Sequence, residues 1–117
     1  MPRRTALIDD LIHFLRARCT EERQSAMALR MQNWQSVVAE VNSRQAVVDA
    51  CERATILAAG ATRRVAEMTA EGIPVQTDDL VDAARLEGQA AALSHALALL
   101  AQPYARHPHY QQEWRPR

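Results

Sequence analysis

The sequence predicts an all-α protein in which an N-terminal helix packs on a long antiparallel helical hairpin, closed by a tail rich in aromatic residues and proline. Two observations lead to this prediction. Apolar residues recur at helical spacings of three and four along most of the chain. Gly72 and Pro74 then stand together between two such periodic stretches, as the loop of a helical hairpin requires. With 117 residues, we expect a single helical domain over positions 1–117.

The first helix is predicted over residues 1–31, with Thr5 as its N-cap. An apolar stripe at spacings of three and four should face the core, and its members are Leu7, Ile8, Leu11, Ile12, Leu15 and Cys19. Charged residues such as Asp9 and Asp10 fall on the opposite face, which we expect to be solvated. A bend should follow at residues 31–33, with Asn33 capping the next helix.

The second helix is predicted over residues 34–71, and the third over residues 77–102, with Thr77 as the N-cap of the third. Each carries a heptad-like seam, typical of a coiled coil. In the second helix the seam residues are Val47, Cys51, Ala54, Ala58, Ala61, Val65 and Met68. In the third they are Leu86, Ala90, Leu93, Leu97 and Leu100. Pro103 should end the third helix, and residues 103–117 form the tail.

The charge balance argues against nucleic acid as the main partner. The chain has 14 basic residues, all of them Arg, and 14 acidic residues, so its formal net charge is zero. Domains that hold a phosphate backbone usually carry a clear basic excess. The use of Arg alone, in an alanine-rich chain, is typical of a GC-rich genome.

The cysteines and the hydrophobic pattern bear on location. Cys19 and Cys51 have no CxxC spacing and fall at inward helical positions, which indicates free thiols in a reducing compartment. No apolar run suits a signal peptide or a membrane span. We therefore expect a cytoplasmic protein with no membrane association.

No motif in the sequence supports catalysis. The only concentration of possible metal ligands is His107-Pro108-His109, with His95 earlier, and two histidines on either side of a proline point in different directions. Adjacent carboxylates such as Asp78 and Asp79 suit helix capping and solubility, and a glycine-rich phosphate loop is absent from the sequence. We expect no enzyme activity, no cofactor and no metal.

The tail allows two interpretations. Its candidate interaction residues are Tyr104, Arg106, His107, His109, Tyr110, Trp114 and Arg115. The rings and guanidinium groups could stack on and neutralise single-stranded nucleic acid. Alternatively, the tail folds back and its aromatic rings cover the open end of the hairpin. Packing is the favoured interpretation, because a core made largely of alanine needs large side chains from elsewhere.

The tail also resembles a known family. Residues 97–116, LALLAQPYARHPHYQQEWRP, resemble the C-terminal signature of a family of small uncharacterised proteins of actinobacteria and their phages. Residues 11–18 and 37–49 are similar to the first and central helices of that family. Inserts that many members carry between helices are missing from this sequence, so a function residing in them does not transfer. The resemblance implies an actinobacterial or phage origin.

These observations favour a non-enzymatic protein–protein interaction module. Because alanine and a few leucines bury little area per contact, a lone monomer should be only modestly stable. The alanine and leucine seams are the predicted route to self-association, and a host protein is the other candidate partner. A nucleic-acid-associated regulator acting through the tail is the alternative.

Overall fold

The computed structural model describes residues 2–29 and 32–116, with side chains from residue 7 onward. It contains three helices: α1, Pro2–Leu29; α2, Trp34–Ala70; and α3, Thr77–Ala101. Two single turns of 3₁₀ helix follow, Gln102–Tyr104 and Gln112–Trp114. The described chain is elongated, with extents of 62 × 27 × 21 Å. The predicted all-α class, with α1 on a long hairpin and an aromatic tail, is confirmed.

Helix α1 runs antiparallel to α2 and packs along its first half. Arg16 forms ion pairs with Asp49 at 2.8 Å and with Glu52 at 2.9 Å. Further along α1, the Arg23 guanidinium donates to the Gln45 side-chain oxygen at 2.6 Å. Residue numbers therefore rise on α1 as they fall on α2, and Leu7 and Ile8 line the same open groove as Ala58.

The two predicted seams lie between α2 and α3 of the same chain. Every seam residue is buried or half-buried. The buried ones lie near the middle of the molecule, where α1 also contacts the hairpin: Cys51, Ala54, Ala58 and Leu97. Towards the hairpin loop, Ala61, Val65 and Met68 are only half-buried. The far half of the hairpin is thus a two-helix structure without the third helix that covers the near half.

Three predicted helix caps differ from the structure. Thr5 lies inside α1, which begins at Pro2, a residue suited to a first helical turn. Asn33 is the residue before α2, but its side chain makes no capping hydrogen bond. Gln76, rather than Thr77, caps α3: its backbone N–H donates to the Asp79 carboxylate at 3.2 Å, and its carbonyl accepts from the backbone N–H of Asp79 at 3.1 Å. The predicted end at Pro103 holds, with α3 stopping at Ala101.

Gly72 ends α2 in the left-handed conformation, with φ of +72°. The backbone N–H of Gly72 donates to Thr69 and that of Ile73 to Met68, at 3.2 and 2.9 Å, so the last carbonyls of the helix are satisfied.

Replacing Gly72 with alanine should lower the free energy of unfolding by about 1 kcal/mol, because an L side chain is strained at this φ. Gly60→Ala is the matched control. A Cβ at Gly60 would meet only an Arg63 nitrogen, at 3.9 Å, so alanine there should stabilise α2 by about 0.5–1 kcal/mol. Urea denaturation followed by circular dichroism measures both changes. Equal effects of the two substitutions would contradict the left-handed conformation assigned to Gly72.

Candidate interaction surface

The tail folds onto α1 through an aromatic cluster centred on Phe14. Phe14 is 5% exposed and lies on the side of α1 that faces the tail. Its ring is surrounded by four rings of the tail, with centroid distances of 5.0 Å to Trp114, 5.3 Å to His107, 6.0 Å to Tyr104 and 6.3 Å to Tyr110. Most of these pairs meet edge to face, the arrangement that aromatic quadrupoles favour.

A hydrogen-bonded network holds the start of the tail against α1 and α2. The Tyr104 hydroxyl donates to the Glu22 carboxylate at 2.5 Å and accepts from Arg44 at 2.5 Å. Arg44 also forms an ion pair with Glu22. Burial and the bond to Glu22 raise the pKa of Tyr104 to about 12. The phenol therefore keeps its proton, and the network ties three elements together through one half-buried hydroxyl.

Arg18 and His107 form a second link between α1 and the tail. Arg18 is 7% exposed, its guanidinium lies 4.9 Å from the centroid of the Phe14 ring, and it donates to the His107 imidazole. The backbone N–H of His109 donates to Nδ1 of His107 at 3.0 Å. Two N–H groups thus lie beside the ring, although a neutral imidazole accepts at only one of its nitrogens. Burial and the Arg18 charge lower the pKa of His107 below its ordinary 6.5, with a smaller lowering from His109 and an opposing effect of Glu21.

Acidification should loosen the tail through His107. Because its pKa is lowered in the folded state, the unfolded chain takes up this proton first as the pH falls. The stability that neutral His107 contributes is complete above pH 6.5 and decreases as the pH falls below that value. We expect the urea midpoint of the wild type to fall between about pH 7.5 and 5.5, and that of His107→Asn to fall less. An identical loss in the variant would show that other groups cause the pH dependence.

The structure brings the candidate tail residues together but turns most of their rings inward. Tyr110 and Trp114 are buried, at 9% and 5% exposure, and Tyr104 and His107 are half-buried. Arg106, His109 and Arg115 remain exposed. The structure therefore agrees with the interpretation in which the tail packs on the rest of the chain. Only the three exposed side chains are available to a partner.

An open groove of about 1020 Å³ continues the path of α1 along the far half of the hairpin. Val41 and Val48 on α2 are buried, and Thr55 and Thr62 follow them at the same seven-residue spacing. Much of the lining consists of small residues, namely Thr55, Ala59, Thr62 and Ala66 on α2 and Ala84, Gly88, Ala91 and Ala98 on α3. Four charged residues line it as well: Arg63, Glu87, Glu113 and Arg115. Leu7, Ile8, Trp114 and Pro116 close its near end.

The adjoining surface of α3 is uncovered and largely apolar, with the exposed charged residues Arg85 and Glu87 at its edges. We define the outer face of α3 by eight exposed residues: Leu80, Val81, Ala84, Gly88, Ala91, Ala92, His95 and Leu99. Three large side chains on it are exposed by about half, Leu80 at 52%, Val81 at 57% and Leu99 at 52%. From residue 88 to residue 101 the helix contains no Asp, Glu, Lys or Arg on any side. The polar side chains of this stretch are Gln89, Ser94 and His95, so most of its exposed surface is apolar.

A comparison with protein families identifies the family of this sequence. A family described as a family of unknown function, DUF6221, matches residues 8–116. The chain belongs to this family. The match includes the aromatic cluster, the outer face of α3 and the groove apart from Leu7. Searches of curated proteins and of solved structures gave no match.

The described part of this DUF6221 chain shows no site for metal chemistry. Among residues 7–29 and 32–116, no three His, Cys, Asp or Glu side chains converge in a way that would hold a metal ion. Within the same residues, none of the helices has a stretch apolar enough to cross a bilayer.

Two parts of this surface do not follow from the predicted stripes and seams. Phe14 falls outside the predicted apolar stripe, although buried residues on α1 from Leu11 to Cys19 span a wider arc than one contact face needs. The outer face of α3 is also not predicted by the apolar spacing, because the periodic leucines identify the buried side of the helix and not the other side. The signal for it is the charge-free run from residue 88 to residue 101.

Proposed function

We propose that this protein is a non-enzymatic protein–protein interaction module, that it self-associates, and that it does so through the groove and the outer face of α3. The observation that carries the proposal is the charge-free second half of α3, which is exposed along one side. Large apolar patches that stay exposed in a soluble fold mark interaction sites. The proposed activity is binding to another protein chain. The cytoplasm is the proposed location, in keeping with two buried free thiols.

This proposed interaction surface differs from the alanine and leucine seams, which the sequence predicts as the route to self-association. The alanine and leucine seams lie inside the hairpin, between α2 and α3. Association through them would require the hairpin to open and would expose Leu97, which is fully buried. The outer face of α3 is available without any such change.

Nucleic-acid binding is the weaker candidate. Stacking on bases needs an exposed ring face, whereas Tyr110 and Trp114 are buried against Phe14. The resemblance of the tail to actinobacterial and phage proteins supports an accessory role in such a cell, with a host protein as the other partner class.

The proposal is tested with three tagged full-length baits in lysate of the native source: wild type, Ala91→Arg in the groove, and Ala46→Arg on the exposed side of α2 away from the groove. We expect wild type and Ala46→Arg to retain the same protein, either a second copy or a host protein, and Ala91→Arg to lose it while its circular dichroism spectrum stays helical. Equal recovery by all three baits would refute the proposal that this surface binds the partner. A salt-sensitive gel shift that Arg115→Ala abolishes would favour the nucleic-acid candidate instead.

A further inference from the structure

We draw no further inference here: the strongest candidate, the open groove between α2 and α3 with the adjoining outer face of α3, belongs to the interaction surface already proposed, and nothing in the structure shows what covers it.

Discussion

Replacing Trp114 with alanine is expected to lower the free energy of unfolding by about 3–5 kcal/mol. The indole is 5% exposed, lies 5.0 Å from the centroid of Phe14 and meets Tyr110 edge to face at 5.5 Å. Truncation removes the largest side chain of the aromatic cluster and leaves a cavity between α1 and the tail. Since small domains are stable by only about 5–15 kcal/mol, the loss is a large share of the total. Urea denaturation followed by circular dichroism measures it.

Two further variants separate packing from other effects of the tail. Arg115→Ala changes the exposed neighbour of Trp114 and should alter stability by less than about 0.5 kcal/mol. Trp114→Phe keeps an aromatic ring and removes Nε1, which is buried without an acceptor among the described residues. It should therefore cost clearly less than alanine. A small effect of Trp114→Ala would mean that the tail does not pack on α1 in solution, which would reopen the tail as a binding segment.

The local parts of the fold could be predicted from the sequence because they depend on short-range signals. The spacing of Leu86, Leu93 and Leu97 is by itself enough to identify the buried side of α3. Gly72 is recognised as a helix end because few other residues adopt its backbone conformation. The seams predict an antiparallel hairpin because two such faces joined by a short loop must bury each other.

The links between the tail and α1 could not be predicted, because they join residues far apart in the chain. Tyr104 bonds to Glu22, which is 82 positions away, and His107 contacts Arg18, which is 89 positions away. Each of these residues has ordinary surface chemistry when it is considered alone. The cap of α3 shows the same limit at short range: Thr77 has the better intrinsic preference, yet the reciprocal bonds of Gln76 and Asp79 decide the boundary.

The distribution of large side chains explains why the tail is needed for the core. Only five aromatic residues occur in the chain, and Phe14, Tyr104, Tyr110 and Trp114 all belong to one cluster. The far half of the hairpin has no such cluster and depends on seam residues such as Val65 and Met68. The near half is thus stabilised by α1 and the tail as well as by the hairpin seams, whereas the far half depends on the seams alone.

Leu97→Ala and Leu99→Ala should differ greatly in their effect on the stability of the monomer, although the two residues are only two positions apart on α3. Leu97 is fully buried at the meeting point of the three helices, and its truncation should lower the free energy of unfolding by about 2–5 kcal/mol. Leu99 is 52% exposed on the outer face of α3. Its truncation should change the stability of the monomer by less than about 0.5 kcal/mol. Urea denaturation at a low protein concentration compares the two variants without a contribution from dimers.

At high protein concentration Leu99→Ala should acquire an effect that it lacks when dilute. If the chain self-associates through the outer face of α3, the melting temperature of the wild type rises with concentration, because the partner binds only the folded chain. Loss of Leu99 removes a large apolar side chain from the outer face of α3, so the rise should be smaller in the variant. Leu97→Ala should keep the full concentration dependence at a lower melting temperature. A variant at Leu99 that melts like the wild type at every concentration would show that this part of the outer face is not in the interface.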